Sequence, residues 1–183
     1  MKVFRKYRVR MKSIGPKAIF DCTDEPIWGA WEGLFGLASN EVFAITLSEI
    51  DEPGSWSEKV EVLSEEALLP TARPASTDRP IRDGLYVFRS MHTVSEHVEE
   101  IVQLSEQAWR TFETGDNYVA EPVGLFKPES PDDNCVMWLL TWYDGFESWQ
   151  RSRSPHPDAK DAFIKRHSLL TATSAIATRL LKP

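Results

Sequence analysis

His92 and His97 sit five residues apart where a β-favouring run, 85–91, gives way to a glutamate-rich helical pattern. A neutral imidazole at such a strand end could act as a general base, and these two are the candidate catalytic residues. The competing reading, which carries the greater weight, leaves both facing solvent. His167, beside Arg166, could ligate haem if its face turned inward; the alternative is a surface salt-bridge partner. None of the four histidines or two cysteines falls at metal-site spacing, so no metal is expected. Neither a phosphate-binding glycine loop nor a nucleophile elbow occurs, and no cofactor is expected. The seven tryptophans are a broader signal, because buried indole N–H groups need partners. Trp28, Trp31 and Trp142 are candidates to border a pocket for a flat or greasy ligand. Tyr86, Arg89, Tyr143 and Asp144 would be the polar groups that orient a carbonyl, phenol or enolate. The competing reading, favoured for Trp138 and Trp149, is that bulky side chains merely fill the space between sheets.

The elements that must hold these residues are clearest in 136–153. Its first half, Val136 to Tyr143, is an apolar, β-favouring run that reads as a central strand, and Asp144-Gly145 breaks it. Phe146 and Trp149 then recur at helical spacing, with Asp144 as the expected N-cap. A weaker copy lies upstream. Gly33-Leu34-Phe35 precedes Asp51 by 18 residues, Gly124-Leu125-Phe126 precedes Asp144 by 20, and each aspartate is followed five residues later by Trp56 or Trp149. From Tyr7 to Gly33 is 26 residues, from Tyr86 to Gly124 is 38. The difference falls where the second copy has its strongest helix, 95–112, with Ser95 as N-cap, so the first copy lacks about three helical turns.

Each copy therefore reads strand, helix, strand, strand, helix, strand, a ferredoxin-like order with one bare sheet face. Two such faces can bury each other. The expectation is an α+β chain of tandem ferredoxin-like repeats, over 1–75 and 85–183, joined by a linker at 76–84, with the first repeat's helix shortened. In the first copy, strands are expected at 3–11, 34–38, 42–47 and 68–72, with Trp28 and Trp31 preceding the second and a turn or two of helix within 55–66. The arginines and lysines of the first strand read as one solvated face.

A hydrophobic content of 42%, a charged content of 27% and a net charge of −7 suit a soluble globular protein and argue against a nucleic-acid surface. The longest apolar run is far too short to span a membrane, and Cys22 and Cys135 read as free thiols in a reducing cytoplasm. A homodimer is expected from the sheet edges and helices left exposed after the copies pair.

The stretch WLLTWYDGFESWQRSR, the following helix with Phe163 and Arg166, and the glutamate-rich helix after strand 85–91 together resemble the NIPSNAP family and, more broadly, the dimeric α+β barrel superfamily. The resemblance covers residues 84–182. It implies a superfamily that includes cofactor-free monooxygenases, lactone isomerases, polyketide cyclases and haem enzymes. Fold does not settle function. The leading expectation is a binder of a small hydrophobic or aromatic molecule which, if catalytic, is a cofactor-free isomerase, lyase, cyclase or monooxygenase. The alternatives are a non-catalytic assembly module and a haem-binding protein.

Overall fold

Alternation along the strands sorts the side chains into two sets, and the chain closes on itself to bury one of them. The computed structural model describes residues 3–48, 53–130 and 133–183. Eight strands form one antiparallel barrel: β1 (Val3–Met11), β2 (Ile27–Phe35), β3 (Glu41–Ser48), β4 (Val60–Arg73), β5 (Leu85–Thr93), β6 (Ala120–Pro128), β7 (Cys135–Tyr143) and β8 (Ala172–Leu180). Around the barrel the order is β1-β3-β2-β8-β5-β7-β6-β4. Within each half the strands stand fourth, first, third, second, which is the ferredoxin-like order, and the halves join through β2–β8 and β4–β6. Each of these strands is paired on both sides, so the barrel presents no open edge. Edge pairing, one of the two expected routes to a homodimer, is therefore closed off: the second half fills that role for the first.

The helices are unequal. In the second half α1 (Val98–Phe112) follows β5, while α2 (Phe146–Arg151) and α3 (Pro157–Ser168) lie between β7 and β8. In the first half a 3₁₀ turn, Pro16–Asp21, is the helical segment among the described residues. Between β3 and β4, residues 53–59 carry no helix. The expected helix within 55–66 is instead the start of β4. Its glutamates suit a helix locally, but they lie opposite the cations of β1: Arg5 pairs with Glu65, Lys6 with Glu66 and Arg10 with Glu61. Tertiary pairing overrides propensity here. The same pairs correct the reading of β1 as bearing one solvated cationic face, since Arg5 and Lys6 are buried. Lys6 points into the barrel, its ammonium 2.7 Å from Glu66 and 3.6 Å from the ring centre of Trp138. Asp51, the aspartate of the upstream repeat, lies outside the described residues.

Trp28 and Trp31 do not precede the second strand but belong to it. Three residues apart, they would face opposite sides of a regular strand, yet both pack inside the barrel. A bulge between Ile27 and Gly29 supplies the extra residue that turns Trp28 inward. Gly29 is required there, because a Cβ would run into the Trp31 ring. Trp31, fully buried, packs edge-on against Phe88 at 5.0 Å and tilted against Tyr86 at 5.9 Å. Phe4, Phe43, Phe126, Trp138 and Trp142 complete a filled aromatic interior. Outside the barrel, β5, β7 and β8 pack against α1 and α3, with Ile101, Ala108, Ala159 and Ala162 buried between.

Residues 74–84 form neither helix nor strand and link the two halves. Their carbonyl groups satisfy three of the interior aromatics: Asp78 accepts from the Trp28 indole, Arg82 from the Tyr86 hydroxyl and Asp83 from the Trp142 indole, each at 2.9 Å. Neither expected N-cap is used. Ser95 lies in a 3₁₀ turn (Ser95–His97) ahead of α1, and Gly145 rather than Asp144 precedes α2.

Candidate functional site

Side chains on the helix-facing side of β5 and β7 are those at odd positions, among them Val87, Arg89 and Met91 on β5 and Leu139, Thr141 and Tyr143 on β7. With α1, α3 and the segment after α2 they line a cavity of about 410 Å³. Its walls are aromatic and aliphatic: Trp109 and Phe112 from α1, Phe163 and Ile164 from α3, and Leu170 beyond it. The volume is that of a small-molecule cleft. Aromatic order on the helix side is tight, with Phe112 edge-on to Phe163 at 5.5 Å.

The charged groups lining this cavity have one sign. Arg89 stands on the β5 floor, Arg166 projects from α3, and Arg153 and Lys160 are at the exposed rim. No Asp or Glu is among the lining residues. Arg166 lies on the buried stripe of α3 with Ala159 and Ala162, 9% exposed. Its one hydrogen-bond partner among the described residues is the Ser105 hydroxyl at 2.9 Å, which itself donates to the Ile101 carbonyl. Its aliphatic and guanidinium portion lies over Phe163, 4.8 Å from the ring centre. Burial, reinforced by the charge of Arg89, pushes the guanidinium down to about 10. Arg89 is lowered too, first by burial and then by Arg153. Tyr143, almost wholly buried, is raised by burial, against which the Ser152 hydroxyl and the three arginines pull. At neutral pH the phenol is therefore protonated and a donor.

The residues singled out in the sequence fall into four places. Arg89 and Tyr143 line this cavity. Trp28, Trp31, Tyr86 and Trp142 lie in the barrel interior, where Trp28 and Tyr86 also border a space of about 460 Å³ under residues 73–82. Burial raises Tyr86 to about 12, and its hydroxyl is committed to Arg82. Asp144 borders a shallow groove with Tyr118 and Ser148. His92 is exposed on β5, and His97 is half-buried at the start of α1 with Nδ1 buried and unpartnered. Neither histidine is among the residues lining the helix-side cavity, whereas His167 is. Sequence reading missed Arg166, Arg153, Trp109 and Phe163 as site residues. For Arg166 the signal was present: an arginine four residues after Ala162 and seven after Ala159, on the face an amphipathic helix turns inward.

No family model matches the sequence, and no curated protein matches it. Solved structures do. A proposed monooxygenase from Lactobacillus acidophilus NCFM superposes with a TM-score of 0.60 at 10% identity, over 100% of this chain and 97% of that one. An anthrone oxidase-like protein gives 0.63 at 9% identity, over 98% and 92%. A further proposed monooxygenase, from Fusobacterium nucleatum subsp. nucleatum ATCC 25586, gives 0.58 at 9%, over 99% and 93%. The likeness is one of fold. It spans both halves of the chain. Among the described residues no helix is long and apolar enough to cross a membrane.

Proposed function

We propose that the chain binds a small aromatic molecule in the cavity between α1, α3 and the sheet of the second half. There it would carry out proton-transfer chemistry that leads to cofactor-free oxygenation. The observation that carries the reading is the cavity's composition: aromatic walls with one buried phenol, the Arg89 guanidinium on the sheet side and the Arg166 guanidinium from α3. Those groups suit an enolate or phenolate, since cations and a neutral donor favour the charge that appears when a ring-activated C–H loses its proton. The names of the superposed proteins, monooxygenase and anthrone oxidase-like, point to the same chemistry. In balanced form, an activated CH₂ loses a proton and its carbanion transfers electrons to O₂. The resulting C–OOH loses water to leave a ketone, so one oxygen atom enters the product and one leaves as water. Trp109, Phe112 and Phe163 would hold the ring, the Tyr143 phenol would donate to the developing oxyanion, and Arg89 and Arg166 would supply the positive field that favours it.

His92 and His97 remain the sequence-based candidates for the base. The cavity reading gives that role to His167, the imidazole at its edge. The NIPSNAP-like assignment of 84–182 is supported by the strand, break and helix order of β7 and α2. A second reading, a non-catalytic interaction module, is favoured by the aromatic packing of the barrel interior and by exposed Phe35, 67% accessible and edge-on to Phe146.

The test is oxygen uptake with anthrone as the probe substrate, without added metal or flavin, after recording the absorption spectrum of the purified protein. One O₂ consumed per anthrone, with Tyr143→Phe and His167→Ala each slowing the rate roughly 10²-fold, supports the reading. Binding without uptake leaves a binder only. No binding overturns the reading in favour of the interaction module, and a Soret band would move it to haem.

A further inference from the structure

The cations of the helix-side cavity say more about the ligand than its apolar walls do. The chain as a whole carries a net charge of −7, yet Arg89, Arg153, Lys160 and Arg166 converge on one cavity with no carboxylate in its lining. Elsewhere in the fold, partly or wholly buried arginines are matched. Arg8 and Arg10 meet Glu41, and Arg73 makes a two-pronged pair with Glu113 at 2.6 and 2.8 Å. The Arg89 side chain has no hydrogen-bond or ion-pair partner among the described residues, and the Arg166 side chain has only the neutral Ser105. Burying a guanidinium without a counter-charge is expensive, and placing a second one beside it adds repulsion. Both arginines are disfavoured in their charged forms, and each is near Tyr143, whose phenol is protonated. An arginine fork matches a planar carboxylate in two parallel hydrogen bonds.

We propose that the ligand of this cavity is a planar aromatic carboxylic acid. Its carboxylate is clamped between Arg89 and Arg166 beneath Tyr143, and its rings lie against Trp109, Phe112 and Phe163. The inference rests on the cavity being the binding site, as argued above, and adds the charge and class of what it takes. Arg153 and Lys160 at the rim give the entry the same sign, which speeds the approach of an anion and makes association depend on salt.

The experiment is isothermal titration of the intact protein with 2-naphthoate and with its neutral isostere, 2-naphthamide, at low and high salt. The acid is expected to bind at least about 10-fold more tightly than the amide, with the gap shrinking as salt rises. In Arg89→Met the gap closes, because this half-buried side chain has no partner that its loss would orphan. Arg166→Lys, which keeps a charge but loses the fork, leaves a reduced gap. Equal binding of acid and amide by the unaltered protein would overturn the carboxylate clamp while leaving the cavity as the ligand site. Binding of neither would overturn the cavity reading itself. A gap that persists in Arg89→Met would place the carboxylate elsewhere and also refute the clamp.

Discussion

Replacing Arg166 by methionine is expected to stabilise the fold while it weakens the site. Arg166 is 9% exposed, and its guanidinium is pushed down from the ordinary arginine range to about 10 because burial, and then Arg89, disfavours its charge. At about 1.4 kcal/mol for each tenfold change in proton affinity, this corresponds to roughly 3 kcal/mol against the charged form in the folded chain. Methionine forfeits the bond to Ser105 and the contact with Phe163, together about 1–2 kcal/mol. The Ser105 hydroxyl keeps the Ile101 carbonyl as its acceptor, so no buried donor is stranded. The net is a gain of about 1–2 kcal/mol, or a rise in Tm of roughly 2–8 °C for a chain of this size. Urea denaturation at neutral pH measures it. The pH dependence has a definite sign. The folded chain loses the Arg166 proton near pH 10 and the unfolded chain only at a higher pH. The penalty on the unaltered protein is thus complete below pH 10 and fades above it, so the variant's advantage is constant at neutral pH and narrows as pH passes 10. A loss of 1 kcal/mol or more on making Arg166→Met would refute the reasoning, because Arg166 would then be a structural tie between α1 and α3.

Two further outcomes test the frame around the site. Gly84→Ala is expected to cost about 2–3 kcal/mol in chemical denaturation, since Gly84 has φ +142° and a Cβ would run into the Tyr143 carbonyl oxygen. Glu41 is pushed up by burial, but Arg8 and Arg10 outweigh this and hold its carboxyl below the usual range. Its contribution is therefore present above the unfolded value of 4.5 and lost as pH falls through the lower folded value. Glu41→Gln should cost about 1–2 kcal/mol at neutral pH, and a pH series of denaturation curves should show that difference vanishing in acid.

The second half was legible because its elements are long and their periods clean. The run 85–91 is the body of β5, 95–112 covers α1, and 136–143 is β7 less its first residue. In the first half, β1 was readable at 3–11, but of β2 and β4 only the ends, 34–35 and 68–72, were read as strand. The bulge at Trp28 breaks the period of two that would have marked β2. The glutamates of β4 read as helix because their partners lie on β1, 51 to 60 residues away. The site suffered from the same rule that makes sheets orderly. Tyr86 and Arg89, or Trp142 and Tyr143, are near neighbours in sequence, yet alternation sends Arg89 and Tyr143 to the helix side and Tyr86 and Trp142 into the barrel. A list of polar and aromatic residues near strand ends cannot make that separation without the register. Closure of the barrel was the least local feature, because β2–β8 and β4–β6 pairing depends on residues in opposite halves of the chain.

The central claim is that the ligand occupies the space between α1, α3 and the sheet of the second half. A crystal structure of the protein with 2-naphthoate tests it most directly. The predicted result is electron density for the rings against Trp109 and Phe163, with the carboxylate between Arg89 and Arg166. Density beside Trp28 and Tyr86 under residues 73–82, with the helix-side cavity closed by its own side chains, would contradict it.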